Sequence, residues 1–330
     1  MEANVKHDDR LTPGELPDDT TIFGSSWLMS QAKRKIDELA PMQIPVLIRG
    51  ESGTGKEILA KYIHLHSMVK AGPFIKVNCA AIPGPLLESE LFGYEKGAFT
   101  GAVCAKLGKV EMAAGGTVFL DEIGEMDPTL QTKLLHFLHD RSFCRLGGRD
   151  MRKADVRIVC ATNCDLEQAI ENGSFRQDLF YRIDVIGVHV PPLRERLEDL
   201  ACLSSYLQSR LSVKLSRTQP PLSIETLHVM RRWRWPGNIR ELENWMARYL
   251  VMGNEAALRE ELSQRLPDYE AATPRHLKPA AKQAALAMQK EMILRSLDAH
   301  HWNRRRVARD LQISYRALLY KIREAGIAKP

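Results

Sequence analysis

Between residues 42 and 190, apolar runs alternate with helically spaced segments. Residues 45–49 (PVLIR), 74–78 (FIKVN), 117–121 (TVFLD) and 156–160 (VRIVC) read as short buried strands. Each is followed by a segment with helical spacing, such as Ile58, Leu59, Tyr62 and Ile63 after the first. That alternation predicts a parallel α/β sheet. From 191 to 252 the pattern is helical throughout, with Trp233, Trp235, Trp245 and Tyr249 as core anchors. Residues 255–282 carry Pro267, Pro274 and Pro279 and read as a linker. Apolar positions then return: Leu286, Ile293, Leu294 and Leu297 lie on or near one face of a helix over 284–297. Val307, Ala308, Leu311 and Ile313, then Leu318, Leu319 and Ile322, fit two short helices joined by a turn, with Ser314 as N-cap of the second.

A length of 330 residues suggests about two domains, and 44% hydrophobic with 27% charged residues excludes disorder throughout. No apolar run is long enough to span a membrane, and the N-terminus lacks the apolar stretch of a secretory signal. The cysteines, Cys79, Cys104, Cys144, Cys160, Cys164 and Cys202, are too sparse for a disulfide scaffold. Cys160 and Cys164 approach a metal-ligand spacing but have no second pair; Cys79 and Cys160 sit in apolar runs. Buried free thiols and a reducing, cytoplasmic compartment are expected. The net charge of +6 is uneven. Up to Asp19 six acidic residues face two basic ones, whereas from Arg275 onward thirteen Lys and Arg face four Asp and Glu. A short basic module is a candidate nucleic-acid binder.

Gly50, Glu51, Ser52, Gly53, Thr54, Gly55 and Lys56 form the G-x-x-x-x-G-K core of a phosphate loop, placed between a strand and a helix. The glycines let backbone N–H groups close round a phosphate, and Lys56 would reach the β- and γ-phosphates of ATP. The next residue is Glu57, so the hydroxyl usually offered to Mg²⁺ is absent and the metal must lean on other groups. The strand over 117–121 ends in Asp121 and Glu122, suited to holding Mg²⁺, directly or through water, and to polarising the attacking water. Thr162 and Asn163 end a further strand and could sense the γ-phosphate or form a plain strand-to-turn junction. Arg176 and Arg182 are candidates for stabilising charge in a neighbouring subunit's site, or else surface arginines of a helix. In the segment Gly97, Ala98, Phe99, Thr100, Gly101, Ala102, two glycines frame an aromatic and a small polar residue. That is a mobile tip with a partner contact, or an ordinary loop with its Phe folded inward.

This GAFTGA segment, together with GESGTGKE, GGTVFLDEIGEM, FRQDLFYRI, PPLRER and WPGNIREL in that order, resembles the AAA+ domain of bacterial sigma-54-dependent transcription activators, the enhancer-binding proteins. The resemblance covers roughly 23–252 and implies an AAA+ P-loop ATPase, with a parallel-sheet α/β subdomain and a helical lid. It implies that Asn78 is the switch residue contacting Glu122, that Thr162 and Asn163 are sensor I, and that Arg240 is sensor II. Arg176 and Arg182 become trans-acting arginines, and 97–102 the loop that touches sigma-54. It further implies a ring, usually hexameric, with ATP between subunits, acting on the sigma-54 RNA polymerase holoenzyme. The tail resembles a Fis-type helix-turn-helix. Tyr315, Arg316, Tyr320 and Lys321 would lie on or near its second helix facing enhancer DNA, with Ser314 at its start. Arg304, Arg305 and Arg306 would meet phosphates.

The expected division is a short acidic segment (1–20), the α/β subdomain (21–190), the lid (191–253), a linker (254–282) and the helix-turn-helix (283–330). About 20 residues ahead of the ATPase region leave no room for a receiver module, so control by a separate regulatory protein or by abundance is expected. Homo-oligomeric rings and mixed rings with a related subunit both stay open. The alternatives are a DNA-binding repressor with a ligand-responsive ATPase-like oligomerisation domain, whose signature would be a broken GAFTGA or a missing Glu122, and a motor acting on DNA itself.

Overall fold

The structure is a computed structural model that describes residues 11, 16–266, 306, 307, 310 and 318. Helix α1 (Asp19–Phe23) is N-capped by Asp18, whose carboxylate accepts from the Thr21 N–H. Helix α2 (Trp27–Leu39) buries Met29, Ala32, Ile36 and Leu39, a three- and four-residue spacing that gives one apolar face. Strand β1 (Val46–Arg49) leads through the phosphate loop into α3 (Lys56–Leu65). After β2 (Phe74–Asn78) come α4 (Gly84–Phe92) and an antiparallel pair, β3 (Gly93–Tyr94) with β4 (Lys106–Leu107), then α5 (Lys109–Met112). Strand β5 (Thr117–Asp121), α6 (Pro128–Asp140) and a second small ribbon, β6 (Ser142–Phe143) with β7 (Arg152–Lys153), precede β8 (Arg157–Thr162). Helices α7 (Leu166–Glu171) and α8 (Gln177–Ile183) then lead to β9 (Gly187–His189).

The main sheet runs β2-β5-β8-β1-β9, and its pairings are all parallel. Alternate residues feed two cores: Val118, Leu120 and Ile158 pack towards Phe137, while Ile48, Phe119 and Val159 pack towards Ile36 and Ile63. Every residue of β8 is buried, as a central strand of a two-sided sheet requires. The four expected strands are present. The fifth, β9, escapes sequence reading because three residues carry no periodicity.

The lid comprises α9 (Leu200–Leu215), α10 (Ile224–Arg232), α11 (Asn238–Met252) and α12 (Glu255–Arg265). Trp235, Trp245 and Tyr249 are buried in its core, and Trp233 is half-buried against it. The start of the expected linker is therefore helix: α12 sends Leu258 and Leu262 into the lid core. Two apolar residues four apart are too weak a signal beside the prolines that follow. Two compact units divide between Ser263 and Gln264. In the second, the described residues Arg306, Val307, Asp310 and Leu318 are helical, with Val307 and Leu318 buried. Arg306 is exposed; Arg304, Arg305, Ser314, Tyr315, Arg316, Tyr320 and Lys321 lie outside the described residues.

Candidate functional site

The parallel sheet carries the tips of β1, β2, β5 and β8 to the edge where the lid folds over. There a cavity of about 290 Å³ is lined by the phosphate loop, Asp121, Glu122 and Arg240. Gly53 has φ +79°, and a Cβ there would meet the Gly237 carbonyl at 2.4 Å, so the lid approaches the loop as closely as a glycine allows. Gly55, at φ +100°, caps α3, whose N-terminus faces the cavity with its unpaired N–H groups. Lys56 is buried and donates to the carbonyls of Gly50 (2.8 Å) and Glu51 (3.2 Å).

Four residues clamp the loop from the lid side. The Asn238 amide donates to Glu51 Oε2 (3.1 Å) and to the Ser52 carbonyl (3.0 Å), while its oxygen accepts from the Leu193 N–H (2.8 Å). Arg194 pairs with Glu51 at 2.6 Å; its hydrogen bond, then that of Asn238, holds the Glu51 carboxyl below its usual range. Arg196 donates to the Thr54 carbonyl at 2.8 Å, and burial pushes its guanidinium down to about 10. Arg240 donates to Ser52 Oγ at 2.9 Å from the same helix as Asn238. Sequence reading missed Asn238, Arg194 and Arg196, since nothing local marks a residue whose partner lies 186 positions away, as Ser52 does from Asn238. It also missed the apolar end of the cavity, where Ile22, Met29, Leu203, Leu207 and Ile239 surround space suited to a flat base.

Glu122 adopts φ 54°, ψ 52°, a backbone region that costs a non-glycine residue free energy and is retained where a side chain must be aimed. Its carboxylate accepts from the Asn163 N–H at 3.1 Å and lies 3.6 Å from Lys56 Nζ. The Asn78 side chain, expected on Glu122, instead accepts from the N–H groups of Ala80 (3.0 Å) and Ala81 (3.2 Å). Thr162 Oγ1 accepts from the Cys164 N–H. Arg176 and Arg182 are exposed and do not line this cavity: Arg176 pairs with Asp178 at 2.6 Å and Arg182 donates to the Leu138 carbonyl.

Asp121 and Glu57 offer hard oxygen donors around a shared cation, the Lys76 ammonium, 2.6 Å from Glu57 and 3.2 Å from Asp121. A carboxylate pair that already holds a cation beside a phosphate loop fits magnesium, which takes one or two carboxylates and completes its shell from phosphates and water. Burial alone would raise the Glu57 carboxyl, but hydrogen bonds from Lys76 and Lys61 outweigh it and keep it low. Burial, with Asp121 and Glu122 adding, pushes the neighbouring Cys79 thiol up to about 12, so it stays protonated. Cys79 and Cys160 are buried, Cys104 and Cys202 exposed.

The 97–102 loop rises between β3 and β4. Gly97 (φ +83°) and Gly101 (φ +108°) have open space where a Cβ would be. Phe99 is 42% exposed and meets Tyr94 edge-on at 5.0 Å, so it is neither buried nor free. At its base Arg145 pairs with Glu111 (2.8 Å) and Glu95 (3.1 Å).

A phosphate loop, an acidic strand end and a lid closing over both define an AAA+ P-loop ATPase, a nucleotide-binding fold. Residues 22–189 match the Sigma-54 interaction domain, 194–283 the AAA+ ATPase lid domain and 286–324 the Fis family of bacterial regulatory proteins. The chain belongs to the sigma-54-interacting family and is a sigma-54-dependent transcriptional activator. It is 44% identical over 315 residues to regulatory protein AtoC of Escherichia coli K12, covering 93% of this chain and 68% of AtoC. It is 50% identical over 231 residues to a Nif-specific regulatory protein of Herbaspirillum seropedicae, covering 70% and 43%. Among solved structures, NtrX of Brucella abortus superposes with TM-score 0.67 at 32% identity, covering 93% of this chain and 70% of NtrX. NtrX has also been solved with ADP and with ATP. Among the described residues no helix is long and apolar enough to cross a membrane.

Proposed function

We propose that the chain binds enhancer DNA through its C-terminal unit and uses ATP hydrolysis in a ring, hexameric in its working form, to remodel sigma-54 RNA polymerase and open the promoter. The observation that carries this reading is one compact body holding both a lidded phosphate site and an exposed glycine-framed loop. ATP would draw Lys56 off the loop carbonyls onto the β- and γ-phosphates, with Arg240 reaching them from the lid. Glu122 would take the proton of a water that attacks the γ-phosphorus, breaking the phosphoanhydride bond and releasing ADP. Magnesium, held by Asp121, would neutralise phosphate charge. Thr162, Asn163 and Asn78 would report the γ-phosphate by exchanging partners with Glu122. Arg176 and Arg182, exposed and absent from the lining of this cavity, would complete a neighbour's site, which requires a head-to-tail ring. Phe99 and Thr100 would engage sigma-54.

Open-complex formation on a sigma-54 promoter, with holoenzyme, ATP and the DNA site supplied, tests this, with ATPase read in the same samples. Wild type should open the promoter, and Thr100→Ala should hydrolyse ATP and open nothing. A wild type that hydrolyses ATP and never opens the promoter would sink the remodelling role. A repressor reading has no support from residues here, since GAFTGA and Glu122 are intact.

A further inference from the structure

Sequence reading gives Lys76, two residues before Asn78, no role at the nucleotide site, yet its side chain lines it. It is the exposed residue of β2, where Phe74, Ile75 and Val77 are buried, and β2 lies beside β5, whose end carries Asp121. Its ammonium is 2.6 Å from Glu57 Oε2 and 3.2 Å from Asp121 Oδ2. Glu57 occupies the P-loop position where a metal-binding hydroxyl is usual. So two carboxylates lining the site, Glu57 and Asp121, are already bridged by a cation on a four-carbon tether.

The bridge is asymmetric. Glu57 has a second cation, Lys61 Nζ at 3.0 Å one helical turn on, and keeps a partner if Lys76 leaves. Among the described residues, Lys76 is the one cationic side chain within ion-pair distance of Asp121. An arriving divalent ion would repel the ammonium, and the carboxylate that loses it is the one that gains the metal. The Lys76 side chain is 38% exposed and flexible enough to withdraw towards Glu57 or solvent.

We propose that Lys76 is a tethered cation that holds the divalent-metal position at Asp121 while the site lacks metal, and that metal–nucleotide must displace it. Lys76 then acts as a specificity-determining residue for metal: it raises the magnesium concentration needed to charge the site and supports nucleotide binding when magnesium is scarce. The proposal rests on the reading of this cavity as a magnesium–nucleotide site.

The test is equilibrium binding of a fluorescent, slowly hydrolysed ATP analogue to the full chain, measured in EDTA and through a magnesium titration. Wild type, Lys76→Met and Lys76→Arg are compared. Lys76→Met should lower the magnesium midpoint about tenfold and weaken binding in EDTA, and Lys76→Arg should stay near wild type on both. Thermal melting without ligand confirms that each variant folds, and Lys76→Arg alone, if Lys76→Met does not fold, must keep the high midpoint. Equal midpoints in wild type and Lys76→Met, with nucleotide bound by both, overturn the proposal and leave the nucleotide site standing. Uniform weakening at every magnesium concentration makes Lys76 a phosphate ligand and also overturns it. A wild type that binds no nucleotide under any condition overturns the site reading and the proposal together.

Discussion

Replacing Asn238 with Ala tests how the lid is fixed to the phosphate loop. Asn238 is fully buried and makes three hydrogen bonds, to Leu193 N–H, the Ser52 carbonyl and Glu51. At roughly 1 kcal/mol net for each bond, their loss costs about 3 kcal/mol. Asn238 also sits at φ +52°, which Asn tolerates and Ala does not, adding about 1 kcal/mol. The total of about 4 kcal/mol corresponds to a fall in Tm of about 10 °C for a body of this size. Because these bonds hold the helix that carries Arg240, nucleotide affinity should fall with stability. Arg240→Ala, which removes one exposed contact to Ser52, should lower affinity with a Tm change under about 2 °C. Asn238→Gly separates the terms, since it keeps the backbone conformation and loses the bonds, and should recover about 1 kcal/mol of the loss. Differential scanning fluorimetry and nucleotide titration on the same samples read both quantities. If Asn238→Ala melts within about 3 °C of wild type, the clamp is not what holds the lid and the reasoning fails.

Glu122→Gly should abolish hydrolysis and leave stability nearly unchanged, since release of roughly 1 kcal/mol of backbone strain at φ 54° offsets the lost hydrogen bond from the Asn163 N–H; a loss above about 2 kcal/mol in chemical denaturation would contradict the strain. His64 is buried against Thr117 Oγ1, and burial with the nearby Arg157 depresses its imidazole to about 4 from an ordinary 6.5. The unfolded chain then binds a proton that the folded one refuses, so stability is full above pH 6.5 and declines towards pH 4, by up to ~3 kcal/mol. Urea midpoints across that window should fall less steeply in His64→Asn than in wild type, and equal slopes would remove His64 from the acid response. Mixing Glu122→Gln with Arg182→Ala subunits, each inactive alone, should restore ATPase at about a quarter of the interfaces in an equimolar random ring. No recovery on mixing would place Arg182 outside the neighbour's site.

The sequence by itself determined whatever is written within a few residues. Glycine spacing in 50–56 specified a loop that only such a backbone can form, and the apolar runs specified four strands of the parallel sheet. The order of the motifs specified the family, and the two acids after 117–120 marked the strand tip. Tertiary structure alone decided which side chains meet across that framework. β2 lies beside β5, so Lys76 bridges Glu57 and Asp121. α11 starts against the phosphate loop, so Asn238 clamps Ser52. α12 finds a hydrophobic groove, so a stretch that reads as linker is helix. Glu122 rests on the Asn163 backbone while Asn78 turns to its own loop. Helical and strand periods and turn residues act over a few positions and leave a local signature. Ion pairs and clamps depend on which elements the chain brings side by side, and no short-range pattern encodes that.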